Sequence, residues 1–537
     1  MGKAVEMGRA SATGSLKMFI GVSVSTVIMA VGTIILGNLL TQPDYGLYGI
    51  VVIPAMMIGL FRDWGVNSAM TKYIASLKLE NNDSEIHKVI VAGLTFEIVA
   101  GLILLFISLI SANFIATTIF HRPESAFLIS IASVSIFGGS LFNAAQSAFI
   151  GYERMGLNSF TIICQAIVKI GVGIPLVLLG YGVLGAALGY TASFLLAGLI
   201  GVATLYFALL RNLSKSNKRK SRLSDTLRDA RTTLMKMLKY GAPLSVSAVL
   251  AGVLAQFYAS LIASYILDNA IYSNYTVASY FAVLLTFISL PISTVLFPAF
   301  AKLNPENEYE LIRNIFALSV KYTSLVLVPA TMAIIVLSKP MIGTLFPGRY
   351  LDAPFFLTFY VLANLLAIFG NLSLGSFLSG LGETKMSAKL GTVTVAIGLP
   401  LGLILIPSYG IPGVLVGSAI SGIPSMCWGL YWIWKHYRAK ADFTCSAKIL
   451  TASVIAAIIT YASLGFINFA EWIRLMVGMT IFLAIYIFTA PAIGAVTQAD
   501  INNFRSVFSG LGVISKLVNI PLKAAERMVQ IKNPNKK

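Results

Sequence analysis

Charge is scarce in this chain. Asp, Glu, Lys and Arg make up 11% of its 537 residues, where a soluble domain carries about a quarter. The shortage excludes a protein of this length with its whole surface in water. Histidine is nearly absent. His87, His121 and His436 are scattered, so there is no HExxH zinc site. The three cysteines, Cys164, Cys427 and Cys445, lie in or beside apolar segments with no metal-ligand spacing. They read as small core filler, and no metal site is expected. The phosphate-cradling loop GxxxxGK[ST] and the Asp-x-Asp pair are also missing, which argues against an ATP-driven pump and a metal-dependent glycosyltransferase. No enzyme and no cofactor are expected. A cleavable signal peptide is not visible either. The first sixteen residues are polar and mixed, and the apolar run at 17–40 is long enough to serve as an uncleaved signal anchor.

What the chain does have is apolar surface. Hydrophobic residues make up 57% of it, and the mean hydropathy is +0.84. Fourteen stretches reach the ~20 residues that cross a bilayer as a helix. They lie near 17–40, 45–71, 89–113, 125–150, 157–180, 183–210, 240–267, 272–300, 312–337, 354–380, 388–407, 411–434, 447–468 and 473–497. Outer-membrane barrel strands of ~10 residues do not fit these lengths. The expected fold class is an all-α polytopic membrane protein of about fourteen transmembrane helices.

The net charge of +18 could suggest a nucleic-acid partner, but its distribution points elsewhere. With the N-terminus inside and fourteen crossings, inside segments hold 32 Lys and Arg, while outside segments hold only Arg122, Lys339, Arg349 and Arg474. This asymmetry places both termini in the cytoplasm and the protein in the cytoplasmic membrane. The excess serves topology and attraction to anionic headgroups, with no nucleic acid as partner.

The chain also nearly repeats itself. Tyr181–Gly189 (YGVLGAALG) is matched by Tyr409–Gly417 (YGIPGVLVG), 228 residues later. Val22–Ser25 returns as Leu244–Ser247, and Asp44–Tyr48 as Asp268–Tyr272, at offsets of 222 and 224. Two six-helix lobes are therefore expected at residues 1–220 and 221–437, related by a pseudo-two-fold axis along the membrane normal. Two additional helices follow over 438–497, and a cytoplasmic tail over 498–537 carries Ile501, Phe504, Phe508, Leu511 and Val518 at amphipathic helical spacing. The basic segment 211–239 joins the lobes as a linker at the membrane surface. Gly185/Gly189 and Gly413/Gly417 form GxxxG pairs at equivalent repeat positions, a pattern that lets helix backbones approach closely. Prolines such as Pro54, Pro175, Pro329, Pro400 and Pro424 fall within spans, where kinks are expected.

Five ionisable residues fall inside the spans: Arg62 and Asp63 in the second, Glu97 in the third, Lys169 in the fifth and Lys321 in the ninth. A charge near the bilayer centre costs ~2.5–3.5 kcal/mol or more on insertion scales, so such residues face a wet cavity or a partner. Arg62, Lys169 and Lys321 outnumber the two acids and suit an anionic substrate group such as a phosphate. Asp63 and Glu97 are the candidates for coupling to Na⁺ or H⁺. The plainer alternative is internal neutralisation, with Glu97 paired to Lys169 and Lys321 reaching toward the inner surface. On a continuous helix, Arg62 and Asp63 would point ~100° apart.

The segments ILGNLLTQPDYGLYGIVV, GLFRDWGVNSAMTKYIA, FIGYERMGLNSF and LGYGVLGAALGY resemble the Wzx-like polysaccharide flippases. These belong to the multidrug/oligosaccharidyl-lipid/polysaccharide exporter superfamily. The likeness covers roughly residues 15–435 and extends more loosely to the last two helices. It implies two six-helix lobes around a V-shaped cavity, and alternating-access transport of an isoprenoid-(di)phosphate-linked sugar or oligosaccharide for surface polysaccharide or glycoprotein synthesis. It also implies cationic cavity residues in the segments that hold Arg62 and Lys169; Lys321 is an extension of that pattern. The implied partners are the lipid-linked glycan and the bilayer, with the protein acting as a monomer, alone or beside glycan-assembly proteins. Peptidoglycan-precursor flippases and ion-coupled multidrug exporters of the same superfamily are the alternatives. Exporters that couple through an acid in the first helix have no counterpart here, since 17–40 contains no Asp or Glu. A non-transporting membrane scaffold for glycan assembly is the alternative of another class, and it would have no reason to keep the intramembrane charges.

Overall fold

The computed structural model describes residues 2–211, 213, 223–301, 303, 307–508 and 522–530. Every regular element among them is helical. A bilayer leaves no water for backbone groups, so a chain this apolar satisfies them within helices. By packing, the chain divides into two compact units, Met1–Ser273 and Asn274–Lys537.

The first unit holds α1 (Gly2–Leu39), α2 (Gln42–Gly59), α3 (Val66–Leu79), α4 (Asp83–Phe114), α5 (Ala126–Gly151), α6 (Met155–Leu176), α7 (Gly182–Leu205) and α8 (Leu223–Tyr265). α5 is its hub and packs on α2, α3, α4 and α7. Its buried face carries Ala132, Gly138, Ala144, Ala145 and Ala148. Small residues let it sit deep: a Cβ at Gly198 of α7 would overlap the carbonyl of Gly138. The outward positions are apolar as well, with Ile110 82% and Leu179 73% exposed, as lipid-facing side chains are. At the start of α5, buried Arg122 donates to the carbonyls of Phe120, Ala263, Ile266 and Leu267 and to Asn269 Oδ1 at 2.6–3.0 Å. The guanidinium thus satisfies carbonyls at the C-terminal end of α8 that have no helical donor.

The second unit takes up α9 (Asn269–Ala301) from Asn274 onward. It continues with α10 (Tyr309–Leu345), α11 (Ala353–Leu362), α12 (Asn371–Gly380), α13 (Thr384–Tyr437), α14 (Phe443–Gly465), α15 (Glu471–Ile493) and α16 (Gln498–Phe508). α10 packs on α11, α14 and α15, and Tyr486 donates to Leu325 O at 3.1 Å.

Nine helices among the described residues are long and apolar enough to cross a membrane, or ten if the bent pair formed by Ala353–Phe369 and Asn371–Gly380 is one span. The number fourteen is not established by helix length. Two of the nine run for 56 and 54 residues, roughly 80 Å at 1.5 Å per residue, far beyond a ~30 Å hydrocarbon core. Each folds back on itself at a glycine. Gly182 has φ 50°, ψ −128° and Gly410 has φ 59°, ψ −141°, a conformation reserved for glycine. The two copies of the Tyr-Gly motif therefore make the same turn. After it, Gly189 rests on the backbone of Gly173 and Gly413 on the carbonyl of Leu405. Gly185 lies against Leu176 and Val177, and Gly417 against Leu405.

Three expectations need correction. The second apolar stretch, read as one helix over 45–71, is broken at 60–65, where Trp64 (φ 46°) and Gly65 (φ 76°) take left-handed backbone conformations. Close approach explains the glycine: a Cβ at Gly65 would overlap the backbone of Gly241. Segment 211–239, read as a linker, is helical from Leu223 as part of α8; residues 212 and 214–222 lie outside the described residues. Of the cysteines, Cys445 is buried but Cys427 is exposed, so core filling does not describe all three. In the tail, α16 buries Ile501, while the side chains of Phe504 and Phe508, together with Leu511 and Val518, lie outside the described residues.

Candidate functional site

The break between α2 and α3 is where the first unit gathers its charge. Arg62 and Asp63 sit in this non-helical turn, so the ~100° separation of a continuous helix does not apply. Asp63 is used locally at the start of α3. Its carbonyl accepts from Val66 N at 2.9 Å and its Oδ1 from Asn67 N at 2.8 Å, which satisfies donors at the open end of the helix. Asn67 then reaches across to α4, where its Nδ2 donates to Glu97 Oε1 at 2.7 Å.

Glu97 is fully buried. The Ser140 hydroxyl of α5 neighbours its carboxyl, and both Glu97 Oε2 and that hydroxyl are buried with no hydrogen bond of good geometry. The Glu97–Lys169 pair expected under internal neutralisation is not formed among the described residues; Glu97 is held by Asn67 instead.

The half-buried guanidinium of Arg62 rests on α5. A Cβ at Gly139 would collide with Nη1, so the absence of a side chain there makes its seat. Asp63, Glu97 and Tyr190 act on Arg62 through space, yet its side chain makes no hydrogen bond or ion pair among the described residues. Lys169 on α6 is equally unpaired, and its ammonium lies 5.9 Å from the centre of the Tyr190 ring. Contact between Gly173 and Gly189 brings α6 and α7 together there, one residue before Tyr190. Tyr190 thus stands near both cations.

Arg62, Asp63 and Glu97 share one neighbourhood, with Lys169 linked to it through Tyr190, while Lys321 belongs to the second unit. There its Nζ meets Asp500 Oδ2 of α16 at 2.6 Å, with side chains only 16% and 3% exposed. The same Asp500 oxygen caps α16 by accepting from Thr497 N and Oγ1 at 2.8 and 2.7 Å. Asn67, Gly139, Ser140 and Tyr190 were not read from the sequence as site residues. Asn67 had one signal, its position four residues after Asp63 at a Gly-initiated helix. The others carry none outside their packing. No cluster of three or more His, Cys, Asp or Glu that could hold a metal occurs among the described residues.

The model of a family described as polysaccharide biosynthesis protein matches residues 12–304, more than half of the chain. Agl15 of Haloferax volcanii, named a probable low-salt glycan biosynthesis flippase, is 24% identical over 64% of this chain and 68% of its own. MurJ of Helicobacter pylori, named a probable lipid II flippase, is 28% identical over 54% of this chain and 64% of its own, slightly under two thirds of that relative. Among solved structures, lipid II flippase MurJ in an inward closed conformation superposes with a TM-score of 0.64 at 18% identity. That match covers 88% of this chain and 97% of the other. At that identity the likeness speaks for the fold alone, a polytopic bundle of helices.

Proposed function

The chain belongs to the polysaccharide biosynthesis protein family, and on that premise we propose that it is a flippase for an isoprenoid-(di)phosphate-linked sugar or oligosaccharide. The observation that carries the reading is the pair of cations Arg62, in the break between α2 and α3, and Lys169, on α6, both near Tyr190 and neither in an ion pair among the described residues. Keeping unpaired charge at that depth is costly. A transient anionic ligand offsets the cost during each cycle. The diphosphate engages the two cations, and the isoprenoid chain stays in lipid. Lys321 is left out of this site because Asp500 already meets its charge. The likeness to MurJ favours a peptidoglycan-type precursor as the second reading of the glycan.

Coupling is assigned to Glu97, whose Oε2 has no partner, with Asn67 as its positioning residue. Asp63 is assigned to capping α3. The protein works in the cytoplasmic membrane with both termini inside.

The test is translocation of a fluorescent isoprenoid-diphosphate sugar in proteoliposomes. Charge-assisted contacts are worth about 1.5–3 kcal/mol each, so Arg62→Ala and Lys169→Ala should each slow transport roughly tenfold to a hundredfold. Arg62→Lys should keep part of the activity, since charge survives but the fork is lost. Wild-type rates from the inserted double alanine variant would reject the site. No translocation by wild-type protein would favour a scaffold.

A further inference from the structure

Where α10 begins and α13 ends, the second unit has a cavity of about 560 Å³ lined by Arg313, Asn314, Ala317, Trp434, Arg438 and Lys440. Three of these are cations and none is an acid. The Arg438 guanidinium lies 5.4 Å from the centre of the Trp434 ring, and the Lys440 ammonium 5.6 Å. The backbone arranges this. Arg438 closes α13 in the left-handed conformation (φ 54°), with its N–H donating to Trp434 O at 3.0 Å. Helices usually give that position to glycine or asparagine, because a Cβ there costs roughly 1–2 kcal/mol. The turn brings two cations, two residues apart, back over one aromatic ring.

Arg313, Arg438 and Lys440 make no side-chain hydrogen bond or ion pair among the described residues, and Glu310, one turn from Arg313, does not pair with it. A cation packed on an aromatic face keeps N–H groups free for an anion. Arginine's fork matches phosphate oxygens two at a time. Tryptophan is enriched at the headgroup level of membrane–water interfaces.

We propose that this cavity binds the phosphate headgroup of an anionic phospholipid, in the leaflet that the start of α10 and the end of α13 face. The basic-residue asymmetry assigns that leaflet to the cytoplasmic side. The site shares no residue with the Arg62–Lys169 site and does not depend on the transport reading.

The experiment uses the purified full chain in detergent, with thermal unfolding and native mass spectrometry as readouts. Phosphatidylglycerol should bind and raise the unfolding midpoint, while phosphatidylcholine and inorganic phosphate should not. Each basic residue near a charged headgroup is worth about fivefold in affinity, so the Arg313→Ala, Arg438→Ala, Lys440→Ala variant should bind phosphatidylglycerol roughly a hundredfold more weakly. Lys435→Ala removes an exposed charge from the same helix end but outside the cavity, and should leave affinity within about twofold. Arg438→Gly relieves the turn, so its lipid-free midpoint should not fall even though its response to phosphatidylglycerol weakens. Undiminished binding by the triple variant, equal weakening by Lys435→Ala, or equal binding of phosphatidylcholine would overturn the proposal. Equal protection by inorganic phosphate would replace the lipid with a soluble phosphate and overturn it too.

Discussion

Arg62 shows how much of a site one missing side chain can decide. Its guanidinium occupies the space a Cβ at Gly139 would fill, and the colliding atom is the far end of a flexible side chain. Gly139→Ala should therefore leave folding nearly intact, with stability changed by less than about 1 kcal/mol, while moving Arg62 and slowing transport roughly tenfold or more. Its neighbour gives the control. A Cβ at Gly138 meets the backbone of Leu195 on α7, which cannot swing aside, so Gly138→Ala should lower the melting temperature. Equal thermal stability of the two variants would contradict this division of labour. The two cations were legible in the sequence because charge stands out in an apolar run. Asn67, Gly139 and Tyr190 were not. Such residues are ordinary in membrane helices, and their roles exist only once α3 meets α4, α5 meets the α2–α3 break, and α6 meets α7.

Among the elements, the paired hairpins were the most legible feature and the broken helix the least. The Tyr-Gly repeat marks both turns, and Gly182 and Gly410 take nearly the same backbone angles. An alanine at either site would be forced into a region that L residues avoid. Each of Gly182→Ala and Gly410→Ala should destabilise its hairpin by about 1–3 kcal/mol, read as a drop in melting temperature. Unchanged melting in both would mean the turns adapt without cost. The break at 60–65 left little trace in the sequence, because FRDWG sits in a stretch apolar enough to read as one span. What breaks it is tertiary: Gly65 meets Gly241 across the unit, and Asp63 is there to cap the new helix. Hydropathy counts apolar residues and cannot register a contact made 176 residues away.

For the whole molecule, the fold class was legible because lipid demands helices and composition alone identifies lipid. The helix count was not, since hairpins and broken pairs merge or split what a hydropathy window counts. The orientation rests on the basic residues and can be checked directly. After replacement of Cys164, Cys427 and Cys445, Lys215→Cys should react only with membrane-permeant thiol reagents, and Ala470→Cys with impermeant ones added outside. External labelling at 215, or labelling at 470 from the inside alone, would overturn both the placement of the termini and the leaflet assigned to the lipid cavity.

The Lys321–Asp500 pair has a consequence in time. The two residues are 179 positions apart in the chain. At about 5–20 residues per second, a ribosome delivers Asp500 roughly ten to forty seconds after Lys321. Through that interval α10 enters the membrane with a cation whose counter-ion has not been made. A helix synthesised well after α10 therefore completes a span inserted long before it. A nascent chain stopped short of α16 keeps Lys321 of α10 without the carboxylate that meets it in the finished protein.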